Sequence, residues 1–486
     1  MLETASRKWI ALIFLCAAQF MVVLDVSIVN VALPSIKEGL HFSEQNLLWV
    51  LNAYTLVFGG FLMLGGRVAD RLGRRRVFMV GVALFSTASL FCGLATSSGW
   101  LVFARAIQGL GAAIASPAAL SILTVTFDEG RDRNRALSIW GAIAGAGGAF
   151  GVLLGGILTQ EVGWSWIFFV NVPIGALVIL GSPFVIAPSR PGDQETGFDV
   201  PGATTLTGSL ILLVLALVNS TTWGWASAKT IGVLVTSGVL MVAFLMIERT
   251  TKAPLVPLSI FRNRSLSVSN VVSLILGASI FSMFYFLSLY MQQVLGYSAL
   301  RTGVGYLSIA GVIIVAAGAA QALVAKMGVR NVLALGMLLS SGGLVYFAQI
   351  SVNGTYLGTL LPGFVLAGAG LGLAFVPVTI GAVSGVVPRE AGVASGLVNT
   401  TQQVGGALGV AVLSTIAVSA FNSFVAHNGH SQRVAQEALT HGFSVAFWCG
   451  AVLAAFGAVV ALLGLSRSSA SSPTVEPTVE LATRDA

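Results

Sequence analysis

Charged side chains are scarce: Asp, Glu, Lys and Arg make up 9% of the 486 residues, where a soluble domain carries roughly 25%. A water-facing surface cannot be built from so few. Cysteine is rarer still. Cys16, Cys92 and Cys449 are the whole set, each inside an apolar run, which excludes a disulfide framework and fits lone buried thiols. The four histidines, His41, His427, His430 and His441, fall between apolar runs. The HNGH spacing at 427–430 comes with no cysteine or carboxylate cluster, so no metal site is expected. No GxxxxGK(S/T) phosphate cradle, GxSxG nucleophile elbow or HExxH pair is present, so ATP hydrolysis and proteolysis have no basis here. The chain does not read as an enzyme. No cofactor is expected, and the energy for any work it does must come from an ion gradient or from the substrate itself.

Apolar residues are abundant, at 56%, and they arrive in blocks. Each block is about twenty residues long, the length that crosses a hydrocarbon core of roughly 30 Å at about 1.5 Å per residue. The blocks predict an all-α membrane protein with spans near 9–33, 46–66, 77–97, 100–125, 136–159, 165–187, 202–219, 229–248, 267–294, 302–325, 331–350, 356–386, 392–419 and 442–465. The first block follows Arg7 and Lys8 but outruns a secretory core and lacks a small-residue cleavage site, so it reads as a retained span.

With fourteen spans and the N-terminus inside, twenty of the 25 basic residues fall in inner segments and four in outer ones: Lys37, Lys229, Arg301 and Arg433. Arg105 lies within a span. That asymmetry is the one expected of cytoplasmic loops and puts both termini in the cytoplasm. It also accounts for the net charge of +7 without a nucleic-acid partner, because the charge sits at membrane edges in contact with lipid. The Ser-, Pro- and Thr-rich tail, 467–486, is expected to be disordered.

An internal repeat explains the number of spans. LGRRRVFMVGVALFS (72–86) aligns with MGVRNVLALGMLLSS (327–341), which pairs Gly73 with Gly328. Gly109 and Gly111 align with Gly370 and Gly372, and GGAFG (147–151) aligns with GGALG (405–409). The spacing is nearly constant and each match pairs spans of one orientation, the parallel repeat of transporters built from two six-helix halves. The expected units are residues 1–190, an inserted helix pair within 191–252, and 253–466.

The loop after the second span reads GGRVADRLGRRRVF (65–78), which resembles the signature of the major facilitator superfamily. Four other stretches agree: LDVSIVNVALP (24–34), RAIQGLGAA (105–113), WSWIFFVNVPIG (164–175) and GVASGLVNTTQQVGGALGVA (392–411). Together they resemble its fourteen-helix drug:proton antiporter family. The resemblance implies the major facilitator fold, two six-helix halves in pseudo-twofold arrangement plus two inserted helices. It implies secondary active efflux of drug-like, lipophilic or cationic compounds by proton antiport. Arginine outnumbers lysine twenty to five, which with so much Ala, Gly and Val points by composition to high-GC coding and a bacterial plasma membrane. One departure stands out: GAFGVLLGG (148–156) has Val152 where the family's antiporter signature has proline.

Asp25 and Arg105 are the ionisable residues placed deep in spans, at similar depth. A charge there costs roughly 2.5–3.5 kcal/mol on insertion scales, which makes each a functional candidate. Read as a relay, Asp25 carries a proton and Arg105 is its partner, with proton and substrate competing for one carboxylate. Read as structure, the two are a buried ion pair joining the first and fourth spans. The resemblance implies that Gly66, Asp70, Arg71, Gly73, Arg74 and Arg75 form a cytoplasmic gating loop. Gln19, Asn30, Asn52, Tyr54, Gln108, Tyr285, Asn399, Gln402 and Gln403 are mid-span polar or aromatic residues, candidates either for helix-to-helix hydrogen bonds or for lining a substrate cavity. One acidic group among apolar walls suits a bulky amphipathic small molecule bound by a monomer. Two other readings remain: a transporter of a defined metabolite, amino acid or lipid without antiport, and a membrane sensor or scaffold.

Overall fold

The computed structural model describes residues 2–127, 131–188, 199–251, 254–386, 391–429 and 431–466. Among them there is no strand. The long helices are α1 (Leu2–Leu40), α2 (Trp49–Leu72), α3 (Arg74–Gly93), α4 (Ser98–Thr126), α5 (Arg131–Glu161), α6 (Asn171–Val185), α7 (Val200–Trp223), α8 (Ala228–Thr250) and α9 (Arg264–Leu289). A continuous helical stretch, Ala299–Phe347, follows, then α12 (Leu361–Val383), α13 (Ala391–Asn428) and α14 (Gln432–Gly464).

Ala299–Phe347 holds 49 residues, which as one straight helix would measure about 74 Å at 1.5 Å per residue, far beyond a bilayer core. Gly328 breaks it with φ 81 and ψ 159, dividing it into α10 (299–327) and α11 (329–347). Twelve helices among the described residues are long and apolar enough to cross a membrane. Ala299–Phe347 counts once in that number, and Arg131–Glu161 is not in it.

Short polar residues start the helices where the chain turns at the membrane edge. The side chains of Ser97, Asp199, Ser227, Asn263, Ser298 and Ser431 each accept a backbone N–H from the first turn that follows, donors the helix itself leaves unmet. Glycine ends α2: Gly73, at φ 96, turns the chain straight into α3.

Helices α1 to α6 pack on one another, with α1 on α5 and α6, α4 on α2 and α3, and α6 on α3. Helices α9 to α14 form a second packed group. Helices α7 and α8 pair with each other, and α7 leans on α2 and α13. The two groups meet along α2 and α13 and along α5 and α10. At the second seam Gly303 lies so close to the Val152 carbonyl that a Cβ would come within 2.3 Å, and a Cβ at Gly156 would come within 2.7 Å of the Ala299 carbonyl.

The repeat is visible in this packing. Gly73 and Gly328, aligned by sequence, have the same left-handed backbone at the same junction. Gly147 and Gly151 pack on α1 at Val23 and Ser27, as Gly405 and Gly409 pack on α9 at Leu274 and Ala278. The middle match needs a correction of two residues. Gly109 lies on Tyr54 and Gly111 on Phe85, whereas Gly368 lies on Ile309 and Gly370 on Ser340. Phe85 and Ser340 already correspond, so the counterparts of Gly109 and Gly111 are Gly368 and Gly370. Glycine recurs at 368, 370 and 372, and only the neighbouring helices select the register.

Candidate functional site

Five helical segments of the first group converge on Asp25. It stands on α1 with no exposed surface, and Arg105 on α4 is 1% exposed. The guanidinium donates through Nη1 to Asp25 Oδ2 at 2.5 Å and through Nε to the Val50 carbonyl at 2.9 Å. Gln108, one turn along α4, accepts from the same Nη1 at 2.7 Å and donates to Asp25 Oδ1 at 2.7 Å. Asn171, the first residue of α6, donates to Asp25 Oδ1 at 3.1 Å and to Ser89 Oγ at 3.0 Å. Gln108 also donates to Ser89 Oγ, and Ser89 donates to the Phe168 carbonyl at 2.8 Å. Cys92 closes the ring of contacts, its thiol 3.5 Å from Gln108 Oε1.

Every polar member of this cluster is buried, as a charge in a bilayer must be if it is to be tolerated. The guanidinium is further screened by aromatic faces, with its Cζ 4.4 Å from the Tyr54 ring centre and 5.7 Å from that of Phe168. Two acceptor or donor atoms stay unmatched: the Tyr54 hydroxyl and Asn171 Oδ1. A sealed carboxylate with spare hydrogen-bonding atoms beside it can take up and pass on a proton only if helices move to admit water.

Among its described residues the second group has no such cluster. Through the corrected register the counterparts of Arg105, Gln108 and Ser89 are Phe364, Ala367 and Leu344, and that of Asp25 is Leu276, all within one apolar core. Phe364 stacks there with Phe347 and Tyr306 at 5.5 and 5.6 Å between centroids. One half is charged and the other greasy at equivalent places.

Of the mid-span candidates, the structure brings Tyr54 and Gln108 to Asp25 and Arg105. Gln19 accepts a hydrogen bond from Ser116 at 3.2 Å, joining α1 to α4. Asn52 donates to the Ala407 carbonyl on α13 at 3.2 Å and so bridges the two groups. Asn30 donates to Val26 one turn back while its Oδ1 is unmatched. Tyr285 is buried against Phe286. Gln402 and Gln403 are half-buried, and the backbone of α13 there is close to Gly277 and Gly59. Asn399 is exposed and bonds back to Ser395.

In the loop region Arg75 donates to the Ile186 carbonyl at 3.0 Å, tying α3 to the end of α6. Gly66 packs near Pro117, Arg71 is exposed and Arg74 half-buried. Asp70 closes α2, and its side chain lies outside what is described. Among the described residues no group of three or more His, Cys, Asp or Glu side chains is placed to hold a metal; His430 lies outside them.

Sequence reasoning missed three members of the cluster. Asn171 was in view inside WSWIFFVNVPIG, but Ser89 and Cys92 are single polar atoms in an apolar run and carry no signal until α3 is seen facing α4. It also missed Glu248, in the last turn of α8, which is 3% exposed.

The sequence profile of the Major Facilitator Superfamily matches residues 15–410. The Puromycin resistance protein pur8 of Streptomyces alboniger is 38% identical over 447 residues, 90% of this chain and 88% of its own length. The Cephamycin export protein CmcT of Amycolatopsis lactamdurans is 41% identical over 415 residues, 85% of each chain. The Tetracenomycin C resistance and export protein of Streptomyces glaucescens is 35% identical, over 85% of this chain and 77% of that one. In fold, the chain resembles a bacterial homolog of the human lysosomal transporter Spinster crystallised inward-facing and unoccupied, with a TM-score of 0.68 at 17% identity, covering 94% of this chain and 97% of that one. It likewise resembles an auto-inhibited POT family peptide transporter, with a TM-score of 0.67 at 15% identity, covering 93% and 96%. The chain therefore belongs to the Major Facilitator Superfamily, as a multi-pass cell-membrane transporter of small molecules and not an enzyme.

Proposed function

We propose that the chain exports bulky lipophilic or cationic compounds, antibiotics among them, in exchange for protons carried by Asp25. The observation that carries this reading is the sealed Asp25 carboxylate, bonded to Arg105 and reached by two neutral amides. A buried carboxylate of that kind is expensive in a membrane and marks a proton or ion path. The relatives whose printed names speak of resistance to or export of puromycin, cephamycin and tetracenomycin C point to the substrate class.

Alternating access follows from the seams between the groups. In this arrangement α5 touches α10 through Gly156 and Gly303, and Gln292 donates to the Val31 carbonyl at 2.8 Å. Opening these contacts exposes Asp25 to protons from outside. Closing them again, with the inner side open, lets Arg105 take the carboxylate as the proton leaves. The substrate enters this cycle by competing for the same negative charge. The loop of Gly66, Asp70, Arg71, Gly73, Arg74 and Arg75 is the inner latch. The remaining mid-span polar residues line the route: Gln19, Asn30, Asn52, Tyr285, Asn399, Gln402 and Gln403.

The same reading takes residues 1–190 and 253–466 as the two moving halves and 191–252 as an insertion that carries α7 and α8. It has fourteen crossings, with both termini in the cytoplasm of a bacterial cell and a monomer as the working unit. The break at Gly328 and the basic residues at one set of helix ends support it.

Val152 favours a second reading, transport of a defined metabolite without antiport, because it replaces the proline of the antiporter signature. Efflux measurements in cells decide between them. Cells expressing the chain should retain less of a fluorescent lipophilic cation than cells expressing Asp25→Asn, and collapsing the proton gradient should erase the difference. Equal retention in both strains, with the proteins made to equal levels, sinks the antiport reading.

A further inference from the structure

A cavity of about 630 Å³ lies between the two packed groups, beside the seam of α5 and α10, and falls within the roughly 300–1,000 Å³ that holds a drug-sized ligand. One wall comes from the last turns of α1 and α5, with Lys37, Glu38, Thr159 and Gln160. The other comes from the π-turn Tyr290–Val294 that ends α9 and from the residues leading into α10, with Gln292, Gln293 and Tyr297. It is not the Asp25 site. Pro34, the first residue of α1 on this wall, stands about 14 Å further along the helix than Asp25 at about 1.5 Å per residue, and Asp25 has no exposed surface.

The walls are held in place. Tyr290 donates to the Ser351 carbonyl at 2.6 Å and the Tyr297 N–H donates to the Met291 carbonyl at 2.8 Å, while Gln292 crosses the seam to the Val31 carbonyl. Arg301 covers the Tyr297 ring, its Cζ 3.9 Å from the ring centre. A single π-turn of the kind that carries the two glutamines frequently marks a functional site.

Two polar atoms on these walls lack a partner. Thr159 is 8% exposed and its Oγ1 is unmatched, as is the buried Oε1 of Gln293 on the other wall. Buried polar atoms are nearly always hydrogen-bonded, and here each group contributes one unmatched atom to the same cavity. The amide oxygen only accepts, whereas the threonine hydroxyl both donates and accepts, and Gln160 and Gln292 add further amides. An anion has no hydrogen to give Gln293 Oε1, and a cation meets Lys37 as well as Glu38 on the same wall. A neutral hydroxyl both gives and takes a hydrogen bond.

We propose that this cavity is a binding subsite for neutral, hydroxyl-rich compounds such as glycosides, held by Thr159 from one group and Gln293 from the other. A transported molecule meets it after passing the contacts between α5 and α10. Binding there stands apart from the Asp25 reading; only its use in export rests on that reading.

Equilibrium dialysis of the full chain in lipid nanodiscs against para-nitrophenyl β-maltoside, a neutral glycoside, tests the subsite. It needs no proton gradient, so a failure of antiport and a failure of this site are told apart. The native chain and Asp25→Asn should bind the glycoside alike. Thr159→Val and Gln293→Leu should each weaken binding about fivefold, the loss of one hydrogen bond. Thr159→Val keeps the shape of the side chain and removes only an unmatched hydroxyl, so the fold should stand. Bound glycoside should also slow the reaction of Gln160→Cys with a maleimide, which locates it. No binding at millimolar glycoside, or binding that leaves both wall variants and the Gln160→Cys rate unchanged, overturns the subsite. Binding that Asp25→Asn abolishes and the wall variants keep overturns it too, and puts the glycoside at the central cluster instead.

Discussion

Asn171, at the start of α6, donates to the Asp25 carboxylate on α1 across 3.1 Å. It also holds Ser89 on α3 at 3.0 Å, so one amide fixes three helices around the carboxylate that the sequence singles out. Neutral donors of this kind stabilise a charge without cancelling it, and they set the geometry in which Arg105 meets Asp25.

The first prediction concerns that amide. Asn171→Leu keeps the branching of the side chain and removes both donated bonds, leaving Asp25 Oδ1 with Gln108 alone and Ser89 Oγ with one donor fewer. Loss of a buried partner costs about 1–3 kcal/mol. The unfolding midpoint in detergent should fall accordingly, and Ser89→Ala should fall less because its own atom leaves with it.

The second separates a relay from a structural ion pair. Arg105→Leu leaves a buried carboxylate uncompensated and should destabilise the fold by about 3–5 kcal/mol, whereas Asp25→Leu with Arg105→Leu removes both charges and should recover most of that stability. Transport should not recover with it. A double variant that is stable and still drives proton-coupled efflux assigns the pair to structure alone.

The third concerns the seam between α5 and α10. Gly303→Ala places a methyl 2.3 Å from the Val152 carbonyl, a distance no packing tolerates, so the helices must part. The variant should favour the outward-open state. A cysteine introduced at Gln293, half-buried beside Gln292 in the cavity that Pro34, Thr159 and Ala299 line at this seam, should then react faster with a membrane-impermeant maleimide than the same cysteine in the chain that keeps Gly303.

The fourth uses the two glycines that turn the chain in each half. At φ 96 and φ 81, Gly73 and Gly328 occupy backbone that L-residues rarely adopt. Alanine at either should cost about 1–3 kcal/mol, and the two costs should match within error if the halves are copies. Chemical unfolding of the two variants side by side checks this.

Much of this was legible in the sequence because a bilayer punishes charge. Asp25 and Arg105 stand out in any window of the chain, and they meet at 2.5 Å. Gln108 also ends at their side, but Asn52 joins α2 to α13 and Gln19 joins α1 to α4, contacts that depend on which helix lies opposite. Ser89 and Cys92 were silent for the same reason: a small polar residue in an apolar run means nothing until its neighbour is known. Glu248 carries no signal because it sits where a span meets polar residues, and only the fold buries it. The repeat was visible through Gly73 and Gly328, but its middle register was two residues out because alternating glycines at 368, 370 and 372 leave nothing local to choose between them.

Proton movement is the central claim, and one measurement tests it most directly. Purified protein is reconstituted in vesicles holding a pH-sensitive dye, a proton gradient is imposed, and a panel of lipophilic cations and neutral antibiotics is added to the native chain and to Asp25→Asn. Substrate-triggered proton movement in the native vesicles, absent from Asp25→Asn, is the predicted result. Substrate flux with no proton movement, the same in both proteins, would contradict the account and leave only the fold.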